Sequence, residues 1–262
     1  WDRAALVANP DRVVPEPEAE SFRAFVRRRA SREPLQYILG TQAFWKHDFL
    51  VTPAVLIPRP ETELLVETSL DLLKDVERPL VVDVGTGSGC IAIACAKALP
   101  RAHVDASDIS PDALDVAASN VRRHRVGRRV RLVKSDHFAA LNGRTYDIIV
   151  SNPPYVGVEE LAALPPEYSH EPRGALAAGE DGLDSVRVIL RQLRRHGRNL
   201  RRVAIVGAGT LGRNIAERLH DAPWTVASHV RTFTDVAATL VSTVQSKRRA
   251  LAPGAHVTSL MT

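Results

Sequence analysis

The sequence predicts an α/β protein built on a mostly parallel sheet, and three observations predict it. From residue 79 onward, short apolar runs alternate with amphipathic stretches of helical length. Val81–Ala92 runs an apolar strand through a three-glycine turn directly into a helix. Asp147–Ser151 runs a second apolar strand into the stiff loop Asn152-Pro153-Pro154-Tyr155. Strands alternating with helices imply βαβ units, whose ligands bind at the carboxyl ends of the strands.

Taken in order, Glu20–Arg32 reads as a helix with Phe22, Phe25 and Val26 inward. Residues 43–52 alternate loosely and read as a β-hairpin arm. The proline-rich segment Pro53–Pro60 precedes a helix from Glu61 to Asp75 with Leu65, Thr68 and Leu72 on one face. Candidate strands are Leu80–Val84, His103–Ser107, Val130–Val133, Tyr146–Ser151 and Val203–Val206, with weaker ones at Thr225–His229 and Val236–Ser242. Helices are expected to start near Ser88, Pro111, Gly182 and Thr210, and the polar, basic stretch after Gln245 reads as a disordered tail. The chain opens on Trp1 rather than methionine, so its first helical segment is expected to be the remainder of a larger one.

Composition narrows the class. The chain of 262 residues has no apolar run of membrane-spanning length. Its two cysteines, Cys90 and Cys95, lie inside one apolar run at a spacing that suits neither a metal site nor a redox pair, and no metal is expected. A formal charge of +5 permits an anionic partner without requiring one.

The loop Gly85-Thr86-Gly87-Ser88-Gly89 carries the first chemistry. Glycine allows positive φ and close approach of a ligand to the backbone. Asp83 stands just before the loop, where a carboxylate would repel a pyrophosphate but suit a cationic end such as the amino-acid part of S-adenosylmethionine. Asp108 closes the second strand, where a carboxylate accepts both hydroxyl protons of a ribose. Asp136 closes the third, placed to accept from an adenine amino group with Phe138 nearby, and His137 is the weaker candidate beside it.

In Asn152-Pro153-Pro154-Tyr155 the prolines fix φ and push the preceding residues to extended backbone. The Asn152 side-chain oxygen and the Pro153 carbonyl then form two acceptors aimed at one point. A primary amine or amide presents two N–H groups there, leaving its lone pair toward a methyl donor. Fixed acceptors favour the pyramidal, partly positive nitrogen of the transition state over the flat amide. Tyr155 is placed to pack against the planar substrate group.

With these stretches, Arg32–Gly40 (Arg-Glu-Pro-Leu-Gln-Tyr-Ile-Leu-Gly) and Leu56–Glu63 (Leu-Ile-Pro-Arg-Pro-Glu-Thr-Glu), the chain resembles the HemK/PrmC family of class I methyltransferases that use S-adenosylmethionine. That family methylates the glutamine amide of a Gly-Gly-Gln motif in peptide chain release factors. The resemblance implies a Rossmann-like seven-stranded sheet whose last strand is antiparallel, a β-hairpin linker and an N-terminal helical domain, here truncated. It divides the chain into a partial substrate-recognition domain (1–40), hairpin linker and helix (41–76), methyltransferase domain (77–245) and tail (246–262). It further implies that Gly85–Gly89 hold the methionine part of the cofactor and Asp108 its ribose, and that Asn152 and Pro153, with Pro154 and Tyr155, hold the glutamine amide. Phe44 and the Pro58–Thr62 segment, Thr62 included, would line the substrate channel, in a cytoplasmic enzyme acting on release factors. His137 stands where the family often has an aromatic residue beside the adenine.

Other readings stay open. Leu164–Pro172 also resembles PrmB, the sister family that methylates a glutamine of ribosomal large-subunit protein three, and Arg202–Val206 lacks the acidic residue usual near the end of that strand. Asn-Pro-Pro-Tyr loops also serve adenine-N6 methyltransferases, which flip their base. Gly207-Ala208-Gly209-Thr210-Leu211-Gly212 matches a dinucleotide pattern, which makes an NAD(P)-dependent oxidoreductase the remote reading. No acidic residue follows it at the spacing ribose recognition wants. Two basic runs, Arg122–Lys134 and Arg187–Arg202, read either as solvated faces or as attraction to a nucleic-acid surface.

Overall fold

The computed structural model describes residues 3–9, 11, 13–196, 202–206 and 225–229. The chain begins with helices α1 (Arg3–Ala8), α2 (Glu16–Ala30) and α3 (Leu35–Leu39). The hairpin β1 (Thr41–Phe44) and β2 (His47–Leu50) follows, and a 3-10 turn, Pro60–Thr62, leads into α4 (Glu63–Leu73). The alternating part comprises β3 (Leu80–Val84), α5 (Cys90–Ala98), β4 (His103–Asp108), α6 (Pro111–Arg123), β5 (Val130–Lys134) and β6 (Ile148–Ser151). After β6 come α7 (Val158–Ala162), two 3-10 turns, α8 (Asp184–His196), β7 (Arg202–Val206) and β8 (Thr225–His229).

Among the described residues the main sheet has six strands in the order β5-β4-β3-β6-β7-β8, and every pairing in it is parallel. The candidate strand at Val236–Ser242, the helix near Thr210 and the tail after Gln245 lie outside the described residues. A parallel sheet is covered on both faces, which is why β3 and β6 are mostly apolar, with Asp83 and Ser151 the buried polar exceptions. One face of β3 turns Val81 toward α4 and α5 with Leu65, Leu73 and Ile93, and the other turns Val82 and Val84 toward α8 with Leu183, Val186 and Ile189. Both cysteines are buried on α5.

Three expectations need correction. The hairpin begins two residues earlier than alternation indicated, and its tip is Trp45-Lys46, with Trp45 at φ 54 held by a bond from its N–H to Glu63 Oε1 at 2.7 Å. In α4 the buried face is Leu65, Val66, Ser69 and Leu73, so Thr68 and Leu72 lie at its margin. Ser69 enters that face because its hydroxyl donates to Leu65 O at 2.6 Å and no polar atom is stranded. In α2, Phe22, Phe25 and Val26 are not inward: they are 66%, 42% and 50% exposed. Periodicity marks an apolar stripe, but burial needs a partner surface. Among the described residues, α2 bonds to the rest from Arg28 to Tyr37 O and Ile38 O and from Arg29 to Glu167.

Candidate active site

Register assembles the site. Val84 of β3 pairs with Ser107 of β4 on one side and Ser151 of β6 on the other. The next residues of these three strands, Gly85, Asp108 and Asn152, therefore leave the sheet side by side at its carboxyl edge. Asp108 pairs with Lys134 of β5, and the Ser135 N–H donates to Asp108 O at 2.9 Å, which brings Asp136 to the same edge.

The glycine loop is tied down by backbone. The N–H groups of Gly85 and Thr86 both donate to Ser107 O at 2.9 Å, and Gly89 N–H donates to Thr86 O at 2.9 Å. Gly85, Gly87 and Gly89 have φ values of 74, 53 and 80, which strain any other residue. A Cβ on Gly85 or Gly87 would meet nothing within 4 Å, so the loop borders open space. A Cβ on Gly89 would press on Ile93 and Ala117, which gives that glycine a packing role. Thr86 and Ser88 are buried.

Asp83 lies beneath the loop, fully buried. Its Oδ2 accepts from Thr86 Oγ1 at 2.6 Å, and its Oδ1 is buried without a hydrogen-bond partner. Burial pushes its carboxyl up to about 7; the Thr86 bond and the nearby Ala92 N–H oppose this, and the Asp108 charge adds to it. Asp108 is engaged on both oxygens: Oδ2 accepts from Gly87 N–H at 2.8 Å and Oδ1 from Ser110 N–H at 3.0 Å. Each carboxylate oxygen retains further acceptor capacity. Ser110 caps α6, accepting from Ala113 N–H at 3.2 Å, so Asp108 is free of that task.

Open loop backbone, an acceptor carboxylate beside it and a partnerless acidic oxygen beneath it form a donor set that fits a ligand with hydroxyl and cationic groups. That matches the chemistry of S-adenosylmethionine. At the β5 end, Asp136 and His137 pair with each other through Oδ1 and Nδ1 at 2.6 Å. His137 is held at φ 50, while Phe138 is buried against Val82 and Ile149 and its N–H donates to Gln192 Oε1.

Asn152 is oriented from across the site. Its Nδ2 donates to Thr62 Oγ1 at 3.2 Å, and its Oδ1 is buried with no partner. Pro153 is buried, and Pro154 and Tyr155 are partly buried, with Tyr155 packed against the α8 side of the core. Burial raises the Tyr155 phenol, so it stays neutral. Phe44 does not line a channel. It is 1% exposed and packs edge-on against Phe49 at 6.1 Å, because the tight hairpin turns it into the core.

The sequence reading missed two residues, Asn120 and Glu171. Asn120, buried on α6, donates to Ser88 O and Leu50 O and accepts from Leu50 N–H, tying the glycine loop to the hairpin. Its signal was a polar residue on the helix face otherwise made of Ala113, Ala117 and Val121. Glu171 is buried; its Oε2 accepts from Ile57 N–H at 3.0 Å and its Oε1 takes the Arg59 guanidinium. Arg59 also lies over the Tyr168 ring, 5.2 Å from its centroid. Nothing in the local sequence announces the pair.

The basic runs divide. Arg131 pairs with the buried Asp105, which also receives Arg144 and the Tyr146 hydroxyl. Burial alone would raise the Asp105 carboxyl, but these partners outweigh it and hold it low. Arg129 donates to the α5 terminal carbonyls of Ala96 and Leu99. Arg122, Arg123, Arg125, Arg128 and Lys134 are exposed. Arg187 pairs with Asp181 and Asp184. The Gly207–Gly212 turn lies outside the described residues. Among the described residues no helix is long and apolar enough to cross a membrane, and no group of three acidic, histidine or cysteine side chains gathers to hold a metal.

Comparison with known proteins identifies the family. Residues 60–163 match the family described as Methyltransferase small domain, and residues 1–40 match PrmC N-terminal domain. A protein of Geobacter sulfurreducens named release factor glutamine methyltransferase is 48% identical over 190 residues, covering 72% of this chain and 66% of its own length. The chain thus spans slightly under two thirds of that relative. Proteins of the same name from Koribacter versatilis and Chlorobaculum tepidum are 45% and 43% identical, each match covering 74% of this chain and 70% of the relative. The solved hMettl16 catalytic domain, in complex with MAT2A 3'UTR hairpin 6, superposes with a TM-score of 0.51 at 15% identity, covering 86% of this chain and 83% of that one. At that identity the likeness is one of fold alone, that of a class I methyltransferase.

Proposed function

Because the chain belongs to the release factor glutamine methyltransferase family, we propose that it transfers a methyl group from S-adenosylmethionine to the side-chain amide nitrogen of the Gly-Gly-Gln glutamine in peptide chain release factors. One observation carries the reading: the Asn152 Oδ1 is buried without a partner, at the sheet edge beside Gly85. An orphan acceptor in a protein interior costs about 1–3 kcal/mol, which a ligand N–H recovers.

Gly85–Gly89 and Asp108 hold the cofactor, Asp136 and His137 border its adenine end, and Asp83 faces its cationic part. S-adenosylmethionine supplies an electrophilic methyl group. The protein's own task is to present the nucleophile. Asn152 Oδ1 and the Pro153 carbonyl accept the two amide N–H groups, and Tyr155 packs on the amide plane. Held this way, the nitrogen loses conjugation with its carbonyl and its lone pair turns to the methyl group. No protein base is needed, since the methylated nitrogen sheds its proton to water. Residues 1–40 serve substrate recognition, 41–76 link, and 77–245 carry the chemistry, in the cytoplasm where translation terminates.

The test is incubation with labelled S-adenosylmethionine and, separately, a release factor, ribosomal large-subunit protein three and duplex DNA. Methyl label on the Gly-Gly-Gln glutamine is expected. A release factor left unlabelled while another substrate gains the methyl group overturns the reading. Asn152→Ala should lower kcat by about 10²–10³-fold and leave cofactor binding intact.

A further inference from the structure

We propose that Asn120 is a positioning residue for the cofactor: it holds the Ser88 carbonyl, and with it the glycine loop, in the shape that receives S-adenosylmethionine, and it braces that loop on the hairpin. The proposal rests on the cofactor reading above. Asn120 is fully buried, and its amide is spent on main chain. Its Nδ2 donates to Ser88 O at 2.9 Å and to Leu50 O at 3.0 Å, and its Oδ1 accepts from Leu50 N–H at 2.7 Å. A carbonyl only accepts and a backbone N–H only donates, so one orientation of the amide meets all three and the half-turned one meets none.

The loop's other ties hold its N–H groups: Gly85 and Thr86 on Ser107 O, Gly87 on Asp108 Oδ2 and Gly89 on Thr86 O. Asn120 holds a carbonyl, at the point where the loop becomes α5. In a regular helix the N–H four residues on, that of Ala92, would take Ser88 O, but it lies by the Asp83 carboxyl. The Asn120 side chain stands in for that donor. α6 comes close enough because residue 89 is glycine: a Cβ there would lie 3.4 Å from Ala117 Cβ, one turn before Asn120. Without Asn120, Ser88 O is left in the interior with no donor, and the loop regains one only by moving. The hairpin shares the same side chain, since Leu50 gives Asn120 both its main-chain groups. A second tie from α6 to the hairpin, His124 Nε2 at 3.1 Å from Asp48 O, does not reach the loop.

The experiment measures S-adenosylmethionine affinity by calorimetry in wild type, Asn120→Ala and His124→Ala. Asn120→Ala is expected to raise Kd about 10-fold, the order of one buried hydrogen bond. His124→Ala loosens the hairpin alone and should leave Kd unchanged. In turnover, Asn120→Ala should raise the KM for the cofactor and keep kcat at saturating cofactor, because Asn152 and Pro153 are untouched. Unchanged Kd in Asn120→Ala, an equal rise in His124→Ala, or a fall in kcat with KM unmoved overturns the proposal. Wild type alone gives a further readout that no misfolded variant can confuse. Binding that steadies the loop should slow hydrogen exchange, followed by NMR, at Leu50 N–H on Asn120 more than at Val51 N–H on Gly40 O. Equal slowing of the two, or none, overturns the proposal. A wild type that binds the cofactor yet leaves release factor unmethylated defeats the methylation reading and not this one, whereas no binding at all defeats both.

Discussion

Asp83 has one carboxylate oxygen on Thr86 and the other without a partner, and burial pushes its value from 3.8 to about 7. A carboxyl whose folded value exceeds its unfolded one binds its proton more tightly in the folded chain. Its contribution to stability is therefore complete below 3.8 and is lost as pH rises to about 7. Asp83→Asn removes that dependence. The stability of wild type relative to Asp83→Asn, from urea midpoints, is expected to fall steadily across this window and level off above it. A constant difference would show that Asp83 titrates as an ordinary carboxyl. Asp83, Asp108 and Asn152 were legible in the sequence because each sits at a fixed offset from a strand end, and parallel register does the rest. Asn120 showed only as a polar residue on an apolar helix face, and Glu171 showed nothing. Their partners, Leu50 and Ile57, lie 70 and 114 residues away, and local sequence holds no record of what packs across such distances.

At the scale of elements, strands were read more reliably than helix faces. β3 and β6 are covered on both faces and announce themselves by apolar content, while α4 turned its buried face toward Val66 and Ser69 by a fraction of a turn. The segment after the Asn-Pro-Pro-Tyr loop is held by backbone pairing: Val156 N–H donates to Leu176 O and Ala178 N–H to Val156 O, both at 2.9 Å. Gly182 makes this approach possible. Its φ is 71, and a Cβ there would lie 2.3 Å from Tyr155 O, a backbone atom that cannot swing aside. Gly182→Ala is expected to cost at least about 1–2 kcal/mol from the left-handed backbone alone, with the clash added. Gly174→Ala, with nothing within 4 Å and no positive φ, is expected to be neutral or slightly stabilising. Chemical denaturation of the two variants side by side checks both, and equal midpoints would contradict the described packing.

At the scale of the whole molecule, the N-terminal segment and the sheet are joined differently from the sheet's own parts. α2 presents Phe22, Phe25 and Val26 to solvent and reaches the remainder through arginines. Phe22→Ser is therefore expected to change stability by no more than about 0.5 kcal/mol, the range of ordinary surface substitutions. A larger loss of thermal midpoint would show that this face is covered. The apolar spacing of α2 was legible and its exposure among the described residues was not, since periodicity reports a stripe and never its partner. The two cysteines give the folded chain a further property. Both are buried on α5, and burial, with Asp83 adding, pushes their thiols up to about 12. As a thiolate is the species that reacts with alkylating reagents, the folded protein is silent to them. Alkylation then proceeds only through openings that bare α5, and its rate is a clock for those openings. A ligand seated on the adjoining glycine loop should slow that clock, so mass spectrometry of alkylated chains, with and without S-adenosylmethionine, would time the breathing of the cofactor floor without any substrate present.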